Sequence, residues 1–290
     1  MLSYRHSYHA GNFADVLKHI VLVECLEHFN KKEAPFDYID THSGAGLYDL
    51  RSANANKTGE YKEGIAKLKR IDFPELGSYF EVIDALNQQQ GIDSKKKGLM
   101  FYPGSPAIAH HFVTSPERQK DKAWLFELHS SDFRILSESM AAGRKIRIKQ
   151  EDGLKALLAL VPPVSRRALV LIDPSYEIKS DYYDVVDAVI KAHKKFNSGT
   201  YAIWYPVVER KRVDGMWRKL KSAGIKNIQQ YELGLAEDSL ERGMTSAGMI
   251  VINPPWTLKK KLDKLLPKLV KQLDRGDGKA FSLCQTLVAE

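Results

Sequence analysis

The chain has 290 residues, of which 43% are hydrophobic and 28% charged, and its formal net charge is +8. This size allows one large α/β domain or two small ones, and the composition is that of a folded globular protein rather than a disordered one. No apolar run approaches the roughly 18 residues that cross a bilayer, and the charged N-terminus is unlike a signal peptide. Cys25 and Cys284 form no Cys-x-x-Cys pair, which argues against a zinc site or a disulfide framework, so we expect a cytoplasmic protein.

The basic residues are clustered rather than spread evenly. Runs of lysine and arginine occupy residues 95–97, 210–221 and 259–264. Such clusters favour a polyanionic partner, most simply a nucleic acid. A basic surface without that partner has the same composition, so charge alone leaves both interpretations open.

Helical and extended patterns alternate along most of the chain. A helix is predicted after Asn12, a suitable N-cap that precedes apolar residues at helical spacing. Strands are predicted at residues 35–40, 123–128, 145–149, 168–173 and 200–208. Helical patterns separate most of them, which predicts βαβ units in a doubly wound, mainly parallel sheet. Two last strands, 227–235 and 248–253, follow each other directly and predict an antiparallel hairpin that closes the sheet.

Residues 52–100 interrupt this alternation. They carry helical patterns, and they separate the first glycine turn, which ends at Gly46, from the next strand that ends in an acid, Glu127. The usual spacing in a dinucleotide-binding unit is only about 20 residues. We interpret residues 52–100 as a small helical insertion within a single domain that spans residues 1–290.

The segment "DTHSGAG", residues 40–46, follows the first predicted strand. Glycines at positions 44 and 46 allow a sharp turn and a close approach of the backbone to a ligand. A nicotinamide or flavin site calls for Gly-x-Gly-x-x-Gly, but Asp49 stands at the last position, where its charge would meet the pyrophosphate. S-adenosylmethionine has no phosphate, so this loop favours S-adenosylmethionine over a dinucleotide.

Acidic residues stand at the ends of the next three predicted strands. Glu127, Asp152 (before Gly153) and Asp173 occupy these positions, and open α/β sheets bind ligands at the carboxyl ends of their strands. There Glu127 can accept both ribose hydroxyls and Asp152 can receive the adenine amino group. Each acid alone fits a helix N-cap, but their succession indicates a binding site.

Two tetrapeptides are similar to Asp-Pro-Pro-Tyr, with which amino-methyltransferases hold an exocyclic amine. Asp173-Pro174-Ser175-Tyr176 differs from it by one residue, and Asn253-Pro254-Pro255-Trp256 fits the pattern better. The first follows a strand next to the predicted cofactor-binding strands. The second ends an antiparallel strand whose carboxyl end points to the opposite edge of the sheet. We therefore predict the active site at the first, and interpret the prolines of the second as a strand stop.

The residue types of the first tetrapeptide suit methylation of an adenine amine. That nitrogen is a poor nucleophile because its lone pair is shared with the ring. The Asp173 carboxylate and the Pro174 carbonyl can accept hydrogen bonds from its N–H groups. These hydrogen bonds draw electron density onto the nitrogen and aim its lone pair at the methyl group. Tyr176 offers a ring on which a flipped-out base can stack. Methylation of a pyrimidine carbon would need a cysteine nucleophile, and neither cysteine lies near this segment.

Several sequence blocks, spread over nearly the whole chain, match one known family. They are "MLSYRHSYHAGNFADVLKH", "DTHSGAG", "YPGSP", "FELH", "VPPVSRR", "LIDPSYE", "WYPVV" and "GMTSAGMIVINPPW". Together they resemble the RlmJ family, the bacterial 23S rRNA adenine-N6 methyltransferases. The resemblance implies a class I S-adenosylmethionine-dependent methyltransferase fold, Rossmann-like, with a small helical insertion. Ser175 departs from the family pattern, which has a second proline there.

The resemblance also implies roles for individual residues. The implied S-adenosylmethionine contacts are His19, His42, Ser105, Glu127, Asp152, Gly153 and Asp173. Asp173 is in addition the implied catalytic proton acceptor. The N-terminal segment, with Tyr4, His6 and Lys18, is implied to close over the substrate base. No metal is expected, because His6 and His9 have no Cys or carboxylate partners in the sequence pattern.

The sequence thus predicts an enzyme that transfers a methyl group from S-adenosylmethionine to N6 of one adenine in 23S rRNA, naked or in an assembling particle. We expect a monomer without an obligate protein partner and without membrane association. Two alternatives stay open. One is a DNA adenine-N6 methyltransferase, although no separate groove-reading module is evident. The other is a protein that holds S-adenosylmethionine and RNA without turnover, which Ser175 would mark.

Overall fold

The fold is built on one mixed eight-stranded sheet. The structure is a computed structural model that describes residues 4–94, 98–140, 143–239 and 243–290. Side by side, the strands are β10 (Phe281–Val288), β8 (Ile228–Gly234), β9 (Ser246–Ile252), β7 (Thr200–Val207), β6 (Ala168–Ile172), β1 (Asp37–Asp40), β4 (Lys122–Phe126) and β5 (Ile146–Lys149). Neighbours from β7 to β5 run parallel, whereas β9 is antiparallel to β7 and β8. The predicted doubly wound sheet is confirmed.

Helices cover both faces of this sheet. One face carries α1 (Phe13–Asn30), α4 (Ser105–Val113), α5 (Ser130–Met140) and α9 (Leu258–Leu273). The other carries α6 (Gly153–Leu160), α7 (Asp181–Lys195) and α8 (Arg210–Ser222). Strands buried on both faces read as continuous apolar runs, as in β6 and β9. Within the described ranges, no helix is both long and apolar enough to span a membrane.

Helix α1 runs through the interior and carries polar residues with it. Asn12 caps its first turn by accepting the N–H of Asp15 at 2.9 Å, as predicted. Most of the helix is buried between the sheet and neighbouring helices, including Asp15, Lys18 and His19. Buried polar groups are costly unless they are paired. Three of them in one helix therefore indicate a site with its own partners.

The segment predicted as an insertion lies between two short paired strands. β2 (Leu47–Asp49) and β3 (Phe101–Pro103) are antiparallel, and between them lie α2 (Ala53–Thr58), short 3-10 turns and α3 (Gly77–Gln89). The basic run at residues 95–97 falls outside the described residues. The division into one domain with an insertion at residues 52–100 stays a prediction.

The C-terminal part of the sheet differs from the prediction at one point. The antiparallel hairpin of β8 and β9 is present, but it does not close the sheet. The chain end returns as β10 and pairs with the outer side of β8, with Phe281 opposite Gly234. This edge strand is half-buried along its length and lacks the apolar run that marks the inner strands, which is why its pattern gave no prediction.

Candidate active site

A cleft of about 640 Å³ opens at the carboxyl edge of the sheet, within the usual size range of small-molecule sites. Every residue predicted for the site lines it except Tyr176. These lining residues are Tyr4, His6, Lys18, His19, His42, Ser105, Glu127, Asp152, Gly153, Asp173 and Pro174. The structure thus brings together residues spread over most of the chain, and their individual roles stay predictions.

The register of the sheet explains this convergence. Asp40 at the end of β1 lies opposite Leu125 of β4 and Leu171 of β6. Because these strands are parallel and end at the same level, the residues that follow them emerge at one edge. Glu127 and Asp173 are such residues, and the glycine turn after β1 lies between them.

The glycine turn and Glu127 are joined directly. Gly44 has a φ of +60°, and a Cβ there would lie 2.6 Å from the hydroxyl of Tyr48, so only glycine fits. The Gly44 N–H donates to Glu127 Oε2 at 2.7 Å, and the His129 N–H donates to Oε1 at 2.7 Å. Burial raises the pKa of Glu127, which these two donors partly offset. The carboxylate is fixed in place and keeps further lone pairs for a ligand in the cleft.

Asp152 and Gly153 hold the start of α6 against the glycine turn. Asp152 Oδ1 accepts the Lys155 N–H at 3.1 Å, so the helix-capping interpretation of this acid applies. A Cβ at Gly153 would lie 2.1 Å from the carbonyl oxygen of Thr41, which makes glycine obligatory there. Both residues line the cleft while serving the fold.

Two histidines of the cleft are neutral at pH 7. Burial lowers the pKa of His42 to about 4 and that of His19 to about 3. His42 Nδ1 lies 2.9 Å from Thr41 Oγ1, and His19 Nδ1 lies 2.8 Å from the Tyr102 hydroxyl. His19 Nε2 is buried and has no hydrogen-bond partner among the described residues. A buried polar atom without a partner, on a residue that lines the cleft, fits a ligand contact.

Ser105 reaches a buried carboxylate below the cleft. It begins α4, and its side chain hydrogen-bonds Asp40, whose Oδ2 accepts from the Tyr38 hydroxyl at 2.8 Å. Burial raises the pKa of Asp40 to about 6. Ser105 lines the cleft, and a hydroxyl that donates one hydrogen bond can still accept others, so the implied cofactor contact is compatible with this bond.

Asp173 is held by Lys18 from α1. The Lys18 Nζ lies 2.6 Å from Asp173 Oδ2 and 2.8 Å from Asp15 Oδ1. Burial alone would lower the pKa of Lys18, but these two carboxylates outweigh it and raise that pKa. Among the described residues, no hydrogen bond is donated to Asp173 Oδ1. One oxygen of the carboxylate is therefore anchored and the other is available.

Asp15 links the N-terminal segment to this pair and was not predicted. His6 Nε2 donates to Asp15 Oδ2 at 2.8 Å, and the Gly11 N–H donates to the same oxygen at 2.9 Å. The Tyr4 hydroxyl lies 2.8 Å from His6 Nδ1. Asp15 is almost fully buried, yet His6 and Lys18 hold its pKa well below the usual range. In sequence it stands in the first turn of a capped helix, a position that an acid takes for local reasons alone.

Tyr176 does not line the cleft, in contrast to its predicted role. Its backbone has a φ of +53°, and its hydroxyl donates to the carbonyl of Trp204 at 2.6 Å. The ring is 9% exposed and packs against Tyr182, with ring centroids 4.5 Å apart. In this conformation Tyr176 anchors the Asp173 loop to the core, and a base cannot stack on its ring unless the loop moves.

The basic run at residues 210–221 is largely neutralised. Arg210 pairs with Glu232 at 2.6 Å and with Asp238 at 2.7 Å. Further ion pairs within or next to α8 are Arg212 with Glu209, Arg218 with Asp214 and Lys219 with Asp187. The run therefore offers less free positive charge to a polyanion than its composition predicts.

Comparison with known proteins places the chain in a family. Residues 33–283 match the family described as "Ribosomal RNA large subunit methyltransferase D, RlmJ". The chain is 48% identical to ribosomal RNA large subunit methyltransferase J of Haemophilus influenzae, over 94% of both chains. It is 46% identical to the Escherichia coli protein of the same name, over 97% of both. A crystal structure of a Legionella pneumophila protein is similar with a TM-score of 0.83 and 34% identity, covering 96% of this chain and 98% of that one.

These similarities confirm the family predicted from the sequence blocks. They also confirm the class I fold and the prediction of an S-adenosylmethionine-dependent methyltransferase. With the match covering most of the chain, and relatives similar over nearly their whole length, the chain belongs to the RlmJ family of ribosomal RNA large subunit methyltransferases.

Proposed function

We propose that this protein transfers a methyl group from S-adenosylmethionine to N6 of one adenine in 23S rRNA. The observation that carries the proposal is the Asp173 carboxylate, which lies in the cleft with Oδ2 on Lys18 and Oδ1 without a donor among the described residues. A free acceptor next to a backbone carbonyl suits an exocyclic amine. The names of the relatives support large-subunit rRNA as the substrate.

The cleft fits S-adenosylmethionine. Its volume is adequate, and the glycine turn exposes backbone without side chains. Glu127 offers acceptors for ribose hydroxyls, and the unpartnered Nε2 of His19 offers a polar contact. His42, Ser105, Asp152 and Gly153 complete the proposed contacts. Within the described ranges no group of His, Cys, Asp or Glu side chains could hold a metal ion, and the absence of a metal from the reaction stays a prediction.

The chemistry needs a donor methyl group and a nitrogen aimed at it. When bound, S-adenosylmethionine supplies the methyl group on a positively charged sulfur. Asp173 Oδ1 and the Pro174 carbonyl each accept a hydrogen bond from one N–H group of the amine, and this orients the nitrogen lone pair for in-line attack. Asp173 then takes the proton that the nitrogen releases. Lys18 binds Oδ2 of Asp173 and so fixes the orientation of the carboxylate, including its free oxygen Oδ1.

The N-terminal segment encloses the base in this proposal. Tyr4 and His6 line the cleft, and Asp15 fixes His6 at 2.8 Å. The Tyr4 ring is stacked on His9, with centroids 5.5 Å apart and planes 10° apart. A base lifted out of its RNA helix meets these aromatic groups rather than Tyr176.

The proposed substrate also predicts where the enzyme acts and in which oligomeric state. We propose that it acts in the cytoplasm on naked 23S rRNA or on an assembling particle. A monomer that needs no protein partner is expected.

Methyl transfer to isolated nucleic acids tests the proposal. Purified protein, radiolabelled S-adenosylmethionine and in vitro transcribed 23S rRNA are incubated, and the product nucleosides are separated by mass spectrometry. We expect N6-methyladenosine at one site, and its absence from the rRNA of cells that lack the protein. Methylated DNA with unmodified rRNA would support the DNA alternative. Cofactor binding without transfer to either would support the non-catalytic alternative.

A further inference from the structure

We propose that rRNA reaches the cleft over the surface formed by residues 5–8 and residues 51–62, which we call the tail face, and that Arg5, Lys57 and Lys62 contact its phosphates. This inference rests on the proposed function and assigns the path of that substrate. It also differs from the sequence analysis, in which the basic run at residues 210–221 is one of the clusters that favour a polyanionic partner.

The tail face is one continuous surface. The Asn54 amide donates to Ser7 Oγ at 3.0 Å, and the Thr58 hydroxyl donates to the carbonyl of Tyr8. His9 Nδ1 lies 2.9 Å from Glu60 Oε1. These bonds attach the N-terminal segment to α2 and the turn after it. Since the same segment carries Tyr4 into the cleft, the tail face begins at the cleft rim.

Of its four lysines and arginines, Arg51 is paired with Asp49 at 2.7 Å, and the other three are free of ion pairs among the described residues. Arg5, Lys57 and Lys62 are all exposed, and none of them has a carboxylate partner among the described residues. Two of them lie over aromatic rings: Lys57 Nζ is 5.8 Å from the Tyr8 ring centre and Lys62 Nζ is 5.9 Å from that of Tyr61. Lysine and arginine bind RNA phosphates, and half-buried aromatic rings give faces on which unpaired bases stack. Free cations beside aromatic rings therefore fit single-stranded or distorted RNA.

The opposite wall of the cleft repels a polyanion. It is formed by α5, α6 and α7 and carries several carboxylates. Those that line the cleft are Asp132, Glu151, Asp152, Asp181, Asp184 and Asp187. Two lysines line the same wall: Lys155 is paired with Asp152 at 3.1 Å, whereas Lys191 is exposed and has no ion pair among the described residues, so carboxylates outnumber free cations there. A phosphate chain that crossed this wall would meet like charge, so the tail face is the favourable approach.

The basic run on α8 does not compete with the tail face. Its arginines and Lys219 are held in ion pairs. The helix also starts near the carboxyl edge, after β7, and runs toward the opposite edge, so its C-terminal lysines lie far from the cleft. The tail face therefore combines free positive charge with nearness to the cleft, whereas most of the charge on α8 is paired.

The test compares two charge-reversal pairs of equal net charge. The first is Lys57→Glu/Lys62→Glu on the tail face. The matched control is Lys194→Glu/Lys226→Glu, two exposed lysines at the opposite edge, one in the last turn of α7 and the other after α8. Binding to fluorescently labelled 23S rRNA transcript is measured from about 0.05 to 0.3 M salt, a range in which counterion release dominates. Calorimetry with S-adenosylmethionine and the melting temperature report on folding.

We expect the two tail-face substitutions to weaken RNA binding by at least about tenfold. The slope of log affinity against log salt concentration should become shallower by about 1 to 2, because two phosphate contacts are lost. Cofactor affinity should not change. The control pair should change affinity by less than about threefold and leave the slope intact. Equal losses in both pairs would mean that only net charge matters, and would overturn the proposal.

Failure of this inference is distinct from failure of the proposed function. If the unaltered protein methylates rRNA but the tail-face pair binds RNA with unchanged affinity and slope, the path lies elsewhere and the function stands. If the unaltered protein methylates no rRNA, the function itself fails. Should the glutamate pair lower the melting temperature, Lys57→Gln/Lys62→Gln replaces it, with half the charge change and an expected slope change of the same sign.

Discussion

Two proline-bearing turns of this protein have similar sequences and different surroundings. Asp173-Pro174-Ser175-Tyr176 lies in the cleft, where its carboxylate meets Lys18. Asn253-Pro254-Pro255-Trp256 lies at the other edge of the sheet. There the Asn253 amide donates to the carbonyls of Asn197 and Gly199 at 2.7 and 2.8 Å, and Trp256 is 81% exposed. The better match to the methyltransferase pattern is the one that does not line the candidate active site.

The difference comes from strand direction. β6 is parallel to β1, so the residue after it emerges beside the glycine turn. β9 is antiparallel to β7, with Ile252 opposite Tyr201 at the start of β7, so the residue after it emerges at the opposite edge. Such a tetrapeptide can be catalytic only where the strand order places it next to a cofactor site. Polar side chains at the other edge complete backbone hydrogen bonds instead.

The largest effect that separates the two turns is expected from Asp173→Ala. It should lower methyl transfer by at least about 10²-fold, because one acceptor for the reacting amine is lost. S-adenosylmethionine affinity should fall much less, since the glycine turn, Glu127 and Asp152 remain. Single-turnover transfer and calorimetry measure the two quantities. Equal losses in both would reduce Asp173 to a cofactor ligand and remove the distinction between the turns.

The next effect concerns Asp15, which supports the first turn and has no counterpart at the second. Asp15→Asn removes the charge that holds His6 and Lys18, and we expect transfer to fall by about 10- to 10²-fold, the cost of misplacing a reacting group. S-adenosylmethionine affinity should stay within about threefold. Glu24→Gln is the matched control, because Glu24 lies on the same helix and pairs with Lys261 away from the cleft. If both variants lose the same activity, Asp15 serves only the stability of α1.

A smaller effect should appear in the pH dependence of stability. The pKa of His42 is about 4 in the folded state and about 6.5 in an unfolded chain, so the unfolded state binds more protons as pH falls through this window. Stability is therefore present above about pH 6.5 and lost toward pH 4. We expect the fall in melting temperature between pH 7 and pH 5 to be smaller in His42→Asn. Asp40, with its pKa raised to about 6, acts in the opposite sense in both proteins and cancels in the comparison. An identical fall in both proteins would contradict a neutral, half-buried His42.

At the second turn, Asn253→Ala should affect stability and not chemistry. Two hydrogen bonds are lost, and alanine must adopt the φ of +51° that asparagine tolerates. The expected cost is about 1–2 kcal/mol, or a fall of a few degrees in melting temperature. Methyl transfer per folded molecule should be unchanged. A loss of transfer that exceeds the loss of folded protein would give the second turn a part in the reaction after all.

Much of this comparison was accessible from the sequence. The order of apolar strands and acidic strand ends is local information, and it predicted both the parallel sheet and the edge at which Glu127 and Asp173 meet. Long-range partners were not accessible. Asp15 lies 158 positions before Asp173 and joins it only through Lys18, and β10 is an edge strand without a strong apolar pattern.

The orientation of the Tyr176 side chain also could not be predicted from the sequence. Its sequence neighbours indicate a reactive loop, but its φ of +53° and its bond to Trp204 turn the ring into the core. Nothing in the tetrapeptide itself encodes that direction. The backbone conformation depends on packing against Tyr182 and Trp204, which come from later elements of the fold.

The smallest expected effect concerns Ser175, where the two turns differ in having one proline or two. In the proposed chemistry this position contributes no side-chain atom to the reaction. A proline there removes one backbone donor and biases Pro174 toward extended backbone. Among the described residues no backbone acceptor receives the Ser175 N–H, so that donor is not needed.

The change is therefore mainly entropic, about 0.4–1 kcal/mol, which corresponds to less than about tenfold in rate. We expect the protein with serine to be active, and Ser175→Pro to change transfer only modestly while raising the melting temperature slightly. Transfer rates of both proteins on the same rRNA, each corrected for its folded fraction, give the comparison. A serine protein that binds S-adenosylmethionine but methylates nothing, restored by orders of magnitude in Ser175→Pro, would show that the second proline is what makes such a turn catalytic.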